Sequence, residues 1–314
     1  MTATAELFDR IEQSENILIA CHRNPDADTL GSGTALAFFI SYELKKQVKL
    51  FCVDSLPKNL SFLNSEQFLL PRDELNLKNF NLIICVDCAD YSQTGITEEL
   101  LKIRGQIFTV NIDHHQTNTQ YADLNIVKSA SATAEIICKL LMEKKATFTK
   151  EISTALLTGI ISDTTYFTNA GTTKESMSLA SELMKSGANI KTIVKNTWKK
   201  NSPEALKIWG KILSQLEFNE EHKIVTAVIG RDDSLAPEVF EGLANFLTTL
   251  YEANIILVMR ETPDNLIKCS LRTIKDHIDV AKLAQKFGGG GHAKAAGFSL
   301  TGRLEKTEHG WRIV

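Results

Sequence analysis

Aspartate and histidine side chains of this 314-residue chain recur where apolar runs of the sequence end. Short apolar runs bounded by polar turns are typical of strands buried in a parallel sheet. Because open α/β sheets bind ligands outside the carboxyl ends of their strands, side chains at those ends can converge on one crevice. The side chains concerned are His22, Asp26, Asp28, Asp87, His114 and His115, together with Asp163 at the end of a helical stretch.

The chemistry of this set is that of a metal centre. Converging carboxylates repel one another, and without counter-charge their pKa values rise. A ligand set of aspartates and histidines that includes no cysteine favours Mn²⁺ or a similar first-row divalent cation over structural zinc. Two such ions would activate a water and neutralise a phosphoryl group during in-line attack. The set therefore predicts an enzyme that hydrolyses phosphoesters with two Mn²⁺ ions. Other divalent cations could take the place of Mn²⁺.

Each aspartate taken singly also fits a structural role, because aspartate commonly caps helices and occupies turns. This alternative applies to Asp26, Asp28 and Asp87. The complete set favours the metal centre, since aspartate or histidine follows three separate strands and two histidines stand side by side after Asp113.

A second chemical signal is a run of four glycines followed by a histidine near the C-terminus. Glycines let the backbone approach a ligand and present successive N–H groups to an anion. An arginine at the end of the preceding predicted strand could grip the same phosphate. The run lacks the features of a P-loop or a dinucleotide fingerprint, so no ATPase or NAD site is implied. It predicts a phosphate-binding loop of another kind, with a flexible turn as the alternative. The predicted substrate-binding residues are Arg272, Gly288, Gly289, Gly290, Gly291 and His292.

The first half of the chain must position the metal centre. Its short β-branched runs alternate with helical patterns, which predicts a parallel α/β sheet covered by helices on both faces. A crossover helix is expected over 29–42, where small Gly31 and Gly33 allow close approach to the sheet. The expected strands are 16–21, 48–53, 82–86 and 107–112.

The second half predicts a linker and a smaller α/β domain. The stretch 189–216 is helical but more polar, with a break at 199–203. A helix is expected over 238–251, between strands at 223–229, 255–260 and 266–271. The predicted organisation is a catalytic domain 1–188, a helical linker 189–216 and a substrate-binding domain 217–314, with catalysis between the two domains.

Composition excludes several classes of protein. With 35 Lys+Arg against 38 Asp+Glu, the net charge of -3 gives no basic field for holding long nucleic acid. No apolar run approaches the roughly 18 to 20 residues that span a bilayer, and the N-terminus has no secretory signal. Six scattered cysteines, several of them in apolar runs, indicate reduced thiols. These features predict a cytoplasmic protein without membrane contact.

The sequence resembles the DHH phosphoesterase superfamily over essentially its whole length. The glycine run with its following Ala-Ala-Gly resembles the DHH-associated C-terminal domain. One departure is the segment 164–169, where relatives commonly carry a glycine and a basic or aromatic residue, so the rim of the substrate site is expected to differ. The motifs stand in order as His22-Arg-Asn-Pro-Asp26-Ala-Asp28, Val86-Asp87, Asp113-His114-His115 and Thr158-Gly-Ile-Ile-Ser-Asp163.

The resemblance implies roles for these residues. One Mn²⁺ would be held by His22, Asp26 and Asp87, and the other by Asp28, Asp87, His114 and Asp163, with Asp87 bridging. His115 would contact the scissile phosphate. The implied activity is cleavage of very short oligoribonucleotides to mononucleotides, with action on 3′-phosphoadenosine 5′-phosphate (pAp). The implied partners are short RNA and small phosphorylated nucleotides. The oligomeric state is left undecided, with a homodimer as one possibility.

Two alternatives remain at this point. Soluble phosphodiesterases that cleave c-di-AMP or linear pApA share the same motifs, so the motifs do not separate them. A noncatalytic nucleotide sensor could keep the fold and bind without hydrolysis, although binding alone needs no bridging Asp87 with two complete ligand sets. The glycine run argues against a manganese pyrophosphatase, whose second domain differs.

Overall fold

The structure, a computed structural model, describes residues 2–169, 171–198, 203–230, 243–244, 246–250, 252–262, 264–307 and 310–314. The predicted break at 199–203 and the predicted helix at 238–251 lie largely outside these residues. The chain divides into two compact units, Met1–Trp198 and Lys199–Val314.

The first unit is built on a five-stranded sheet in which all neighbouring strands are parallel. The strand order is β2-β1-β3-β4-β5. This confirms the predicted parallel α/β domain and adds β5, an edge strand whose alternating burial gives no continuous apolar run to detect. The strands are β1 Asn16–Ala20, β2 Gln47–Phe51, β3 Leu82–Val86, β4 Phe108–Asp113 and β5 Leu124–Val127.

Seven helices of this unit are described, and apolar cores lie on both faces of the sheet. The second helix is buried along its whole length. A Cβ atom at Gly33 would lie 2.7 Å from Leu50 Cδ1 of the sheet, as predicted, but one at Gly31 would lie 2.4 Å from the Ala155 carbonyl of a neighbouring helix. The helices are α1 Ala3–Gln13, α2 Ala27–Phe38, α3 Thr97–Lys102, α4 Thr133–Glu143, α5 Lys150–Asp163, α6 Lys174–Lys185 and α7 Ile190–Thr197.

The strand order reverses direction between β1 and β3. From β1 the chain moves outward to β2, whereas β3, β4 and β5 follow one another on the opposite side. Loops that leave such a reversal point separate and open a crevice at the carboxyl ends of the strands. The segments beginning at His22 and Asp87, which follow β1 and β3, therefore form the two sides of this crevice.

The second unit contains a six-stranded mixed sheet in the order β10-β11-β9-β8-β7-β6 and a separate β12-β13 hairpin. Only β7 and β8 are parallel among the neighbours that the structure describes in the larger sheet. This confirms the smaller α/β domain. Its elements are α8 Pro203–Leu213, β6 Glu217–Asn219, β7 Ile224–Ile229, β8 Ile255–Glu261, β9 Leu266–Arg272, α9 Val280–Gln285, β10 Gly290–His292, β11 Ala295–Thr301, β12 Leu304–Thr307 and β13 Gly310–Ile313.

The stretch 189–216, predicted as a linker, is divided between the two units. In α7, Ile193 is fully buried in the core of the first unit. In α8, Ile212 is buried in a core of the second unit. Each helix thus contributes a buried apolar residue to the core of its own unit. The high average polarity of the stretch 189–216 gave no indication of these two residues.

Candidate active site

The loop after β1 places one histidine between two carboxylates. His22 Nε2 lies 3.5 Å from Asp26 Oδ1 and 3.5 Å from Asp87 Oδ2. Burial disfavours the charged imidazole, but hydrogen bonds with the two aspartates outweigh it and raise the pKa of His22 to about 11. The Asp26 carboxylate also accepts hydrogen bonds from the backbone N–H groups of Asp28, at 2.9 Å, and Thr29. Asp26 is therefore both a helix cap and a member of the cluster.

Asp28 lies beneath this loop at the start of α2 and is 1% exposed. Its two oxygens accept hydrogen bonds from the backbone N–H groups of Thr133, at 2.7 Å, and Ala134, at 2.9 Å. These are the first residues of α4, whose positive N-terminal end favours a carboxylate. Burial nevertheless raises the pKa of Asp28 well above its usual value, and the charges of Asp87 and Asp163 raise it further.

Asp87, directly after β3, is at the centre of the group. Its carboxylate is 3% exposed and accepts a hydrogen bond of 2.9 Å from the Thr133 hydroxyl. Its Oδ1 atom lies 3.7 Å from His114 Nε2 and 3.6 Å from His115 Nδ1. The backbone has a φ of 60°, in the left-handed region that residues other than glycine rarely adopt. Such conformations are typical of functional sites, where the surrounding structure enforces them.

The remaining members are His114, after β4, and Asp163, the last residue of α5. His114 Nε2 lies 3.3 Å from Asp163 Oδ2, and His114 Nδ1 lies 3.3 Å from the Ala130 carbonyl oxygen. Burial raises the pKa of Asp163, with further contributions from the charges of Asp26 and Asp87. The structure thus brings together all six residues predicted as metal ligands.

These residues fit divalent cations. Candidate ligand atoms lie within 4.8 Å of one another in each of three groups, and Asp87 belongs to two of them. In both His22 and His114, the Nδ1 atom contacts a backbone carbonyl oxygen. The Nε2 atom is therefore available to bind an ion, as is usual for histidines that ligate metals. The raised pKa values of the buried Asp28 and the half-buried Asp163 indicate carboxylates in need of counter-charge. The groups are His22 with Asp26 and Asp87, Asp28 with His114 and Asp163, and Asp87 with His114 and His115.

His115 differs from the other two histidines because its Nδ1 atom contacts a carboxylate. That atom lies 2.8 Å from Asp113 Oδ1, and this hydrogen bond raises the pKa of His115. Asp113 is fully buried, and its carboxylate also accepts hydrogen bonds from the His114 N–H, at 2.8 Å, and from Asn118 Nδ2, at 2.6 Å. No role was predicted for Asp113 or Asn118. The position of Asp113 two residues before His115 was the available signal.

The cluster forms one wall of a cleft of about 490 Å³. The carboxylates and histidines are accompanied there by four residues that were not predicted, Arg23, Asn24, Ser92 and Gln93. These four offer one cation and neutral hydrogen-bonding groups beside the acidic centre. The complete lining is His22, Arg23, Asn24, Asp26, Asp87, Ser92, Gln93, His115 and Asp163.

The segment 164–169, which was expected to differ from the pattern of relatives, forms a compact turn after Asp163. Thr165, Tyr166 and Phe167 all adopt positive φ values between 48° and 63°. The Tyr166 hydroxyl contacts Thr197 Oγ1 at 2.9 Å, and both aromatic rings pack against the apolar core. Consecutive left-handed residues without glycine are sterically unfavourable, so packing must hold this turn in place.

In the second unit, strand register aligns two of the predicted substrate-binding residues. Arg272, at the end of β9, pairs with Ala295 of β11, which pairs in turn with His292 of β10. Directly paired residues point to the same face of a sheet, so Arg272 and His292 share a face on either side of a small alanine.

The glycine run is divided between a turn and an edge strand, whereas a continuous loop was predicted. Gly288, with a φ of 74°, follows α9, and Gly290 and Gly291 belong to β10. A Cβ atom at Gly291 would lie 2.6 Å from both the Ala295 carbonyl oxygen and Ala296 Cα. Glycine is needed there because β10 approaches β11 closely.

Comparisons with known proteins agree with this site. Residues 16–160 match the family model described as "DHH family, N-terminal domain", and residues 221–309 match the DHHA1 domain. The chain is 30% identical over 308 residues to "Bifunctional oligoribonuclease and PAP phosphatase NrnA" of Mycoplasma genitalium, covering 96% of this chain and 93% of that protein. This chain belongs to the DHH family. A protein of the same name from Thermus thermophilus is 29% identical over 308 residues, covering 96% of this chain and 89% of its own length.

DHH phosphoesterases are metal-dependent hydrolases, and the clustered donors of this DHH protein fit that chemistry. A solved structure, an exopolyphosphatase-related protein from Bacteroides fragilis, superposes with a TM-score of 0.85 over 94% of this chain and 90% of its own, at 22% identity. That likeness supports the fold.

Asn118 is expected to support the activity of this DHH protein through Asp113 and His115. Replacing Asn118 with alanine removes a donor from the buried Asp113 carboxylate, and loss of such outer contacts typically lowers activity or metal affinity by about 10- to 100-fold. Steady-state kinetics with a chromogenic phosphodiester should show this decrease. The control is Asn125→Ala, because the Asn125 amide donates to the loop carbonyls of Gln120 and Ala122. Equal activities of the two variants would contradict the prediction.

Proposed function

We propose that this protein hydrolyses very short oligoribonucleotides to mononucleotides and also acts as a phosphatase on pAp. The observation that carries the proposal is the cluster of aspartates and histidines around Asp87, of which His22, Asp26, Asp87, His115 and Asp163 line the cleft. Similarity over nearly the whole chain to proteins named oligoribonuclease and PAP phosphatase supports the choice of substrate.

Two Mn²⁺ ions are the proposed cofactors. His22, Asp26 and Asp87 would hold one ion, and Asp28, His114 and Asp163 would hold the other together with Asp87. Bound ions of this kind supply a nucleophilic water and neutralise charge that develops on the phosphoryl oxygens. Thr133 donates a hydrogen bond to Asp87, and the first turn of α4 fixes Asp28, so both carboxylates are oriented before substrate arrives.

His115 is the proposed contact to the scissile phosphate. Asp113 accepts a hydrogen bond from Nδ1 and favours the protonated form of the imidazole, so the pKa of His115 is raised. A charged imidazole in the cleft can donate a hydrogen bond to a phosphoryl oxygen, and a donor positioned in advance stabilises negative charge in the transition state.

We assign catalysis to the DHH domain and substrate grip to the DHHA1 domain, whose proposed contacts are Arg272, the glycines 288–291 and His292. The shared sheet face of Arg272 and His292 supports this assignment. The cytoplasm is the proposed location, supported by six cysteines that are all free and buried. Among the described residues, no helix is both long and apolar enough to cross a membrane.

The proposed function is tested by comparing turnover, with Mn²⁺ present, of a two-to-five-nucleotide RNA, pAp, pApA, c-di-AMP and pyrophosphate at equal concentrations. Preference for short RNA together with cleavage of pAp supports the proposal. Preference for c-di-AMP or pApA would replace it with cyclic-dinucleotide breakdown. Absence of turnover with every divalent metal would favour a noncatalytic sensor.

Arg272→Ala is expected to weaken substrate binding more than it slows the metal-centred step. Loss of a charge-assisted hydrogen bond typically costs about 1.5 to 3 kcal/mol, which corresponds to roughly a 10- to 100-fold higher KM for a phosphorylated nucleotide. Lys268→Ala, an exposed cation of the same strand, is the control. Unchanged KM in the Arg272 variant would refute the assigned grip.

A further inference from the structure

One cation of the cleft has no part in the proposed metal centre. Arg23 follows β1 between the proposed ligands His22 and Asp26, and it is exposed to solvent. It contributes to the cleft lining beside these two residues and His115. No lysine and no second arginine occurs in the lining that the structure describes. A negatively charged group that enters the cleft therefore meets Arg23 as the one permanently positive side chain of the described lining.

The backbone that carries Arg23 is fixed on both sides of the cleft. The Arg23 N–H donates to the Gln93 carbonyl oxygen at 2.6 Å, and the Arg23 carbonyl oxygen lies 2.7 Å from His22 Nδ1. The next residue, Asn24, has a φ of 50° and donates its N–H to Asp54 Oδ2 at 2.8 Å. The Arg23 side chain consequently emerges from a defined point next to the proposed metal ligands.

The Arg23 guanidinium has no ion pair or hydrogen bond within the part of the chain that the structure describes. Pairing instead occurs among the aspartates and histidines around Asp87. With the proposed two divalent ions in place, four positive charges would balance the four carboxylates of Asp26, Asp28, Asp87 and Asp163. The charge of Arg23 would then not be needed to balance the carboxylates of the metal centre.

We propose that the Arg23 guanidinium binds the non-scissile phosphate of substrates that carry two phosphates, such as pAp or a 5′-phosphorylated dinucleotide. Within the cleft, the scissile phosphate is served by the metal centre and His115, and Arg23 is the cation of the described lining that is left for the second phosphate, in addition to the grip proposed for the DHHA1 domain. Arginine suits this task because its planar fork donates two parallel hydrogen bonds to phosphate oxygens. Arg23 thus selects two-phosphate substrates over simple phosphoesters. This inference rests on the proposed function, since it names a specificity element of the same site.

The test compares substrates with and without a second phosphate. In Arg23→Ala, the KM for pAp and pApA should rise by about 10- to 100-fold, while turnover of bis(p-nitrophenyl) phosphate stays at the wild-type rate. Arg23→Lys keeps the charge but loses the fork and should give an intermediate KM. Arg104→Ala, an exposed arginine of the same unit that is not in the cleft lining, is the matched control.

Two results would overturn the inference. If Arg23→Ala lowers activity equally on all substrates, Arg23 acts through the His22 loop and not through the second phosphate. If the KM values of this variant are unchanged, Arg23 is only a solvated side chain. If the wild-type protein cleaves neither nucleotide, the proposed function fails separately. The inference is then judged by calorimetric binding of pAp with Mn²⁺ present, where Arg23→Ala should raise Kd by the same factor and an unchanged Kd refutes it.

Discussion

Replacing Asp87 with asparagine is expected to lower kcat by at least about a thousandfold, because metal-based charge stabilisation supplies several kcal/mol and each 1.36 kcal/mol is tenfold in rate. Asparagine is the sharper choice over alanine for two reasons. It tolerates the positive φ of 60° at this position, and its side-chain oxygen can still accept the hydrogen bond from Thr133. The variant therefore removes the charge while keeping the local geometry.

Measurement of Tm distinguishes this loss of kcat from a loss caused by unfolding. The negative charge of Asp87 contributes to the raised pKa of Asp28, which means that the two carboxylates repel each other in the folded protein. The same charge also supports the raised pKa of His22, so removing it loses one attraction and one repulsion. The metal-free Asp87→Asn variant should accordingly have a Tm close to that of the wild type, whereas the increase in Tm on adding Mn²⁺ should be lost. Calorimetry with and without the ion measures both quantities.

Two further variants complete this experiment. His114→Ala should also abolish activity, since His114 contacts both Asp87 and Asp163. Asp73→Asn changes an exposed aspartate of the same unit and should behave as wild type. Retention of more than about a tenth of the wild-type kcat by Asp87→Asn, roughly a loss of under 1.4 kcal/mol, would refute the two-metal assignment.

Gly159→Ala is expected to damage both the fold and the site. A Cβ atom at this position of α5 would lie 2.6 Å from Ala134 Cβ and 2.6 Å from Asp28 Oδ1. Overpacking of this kind costs about 1 to 3 kcal/mol, against a gain of about 1 kcal/mol in helix propensity. With the displaced Asp28 carboxylate added, the net loss of about 1 to 2 kcal/mol should lower Tm by about 2 to 8 °C.

The same substitution should lower activity, because Asp28 would move away from the first turn of α4 that orients it. A decrease of about 10- to 100-fold is expected in metal affinity or kcat. Gly210→Ala is the matched control, since a Cβ atom at this exposed position of α8 meets nothing within 4 Å. It should stabilise its helix by up to about 1 kcal/mol. Wild-type Tm and activity in Gly159→Ala would show that Asp28 is not held as described.

The second unit shows where local patterns were insufficient. The glycines were visible in the sequence, but Gly291 pairs with Ala296 in β10 and β11, and Gly289 would carry a Cβ atom 2.1 Å from the Gly297 carbonyl oxygen. Glycine serves there to let backbones approach, a requirement set by the neighbouring strand. The same applies to Gly31, whose contact with Ala155 joins two helices far apart in sequence.

By itself the sequence determined the parallel α/β domain and indicated the residues proposed for the metal centre. Buried strands are locally apolar, so the polar residues that follow them stand out in the sequence. The supporting contacts were decided only by the tertiary structure. Asp28 meets Thr133 across 105 positions of the chain, and Thr133 reaches Asp87 across 46. The position of the Arg23 guanidinium in the cleft lining likewise becomes evident only in the folded chain. Such contacts depend on how helices pack over the sheet, and no local spacing of residues encodes that packing.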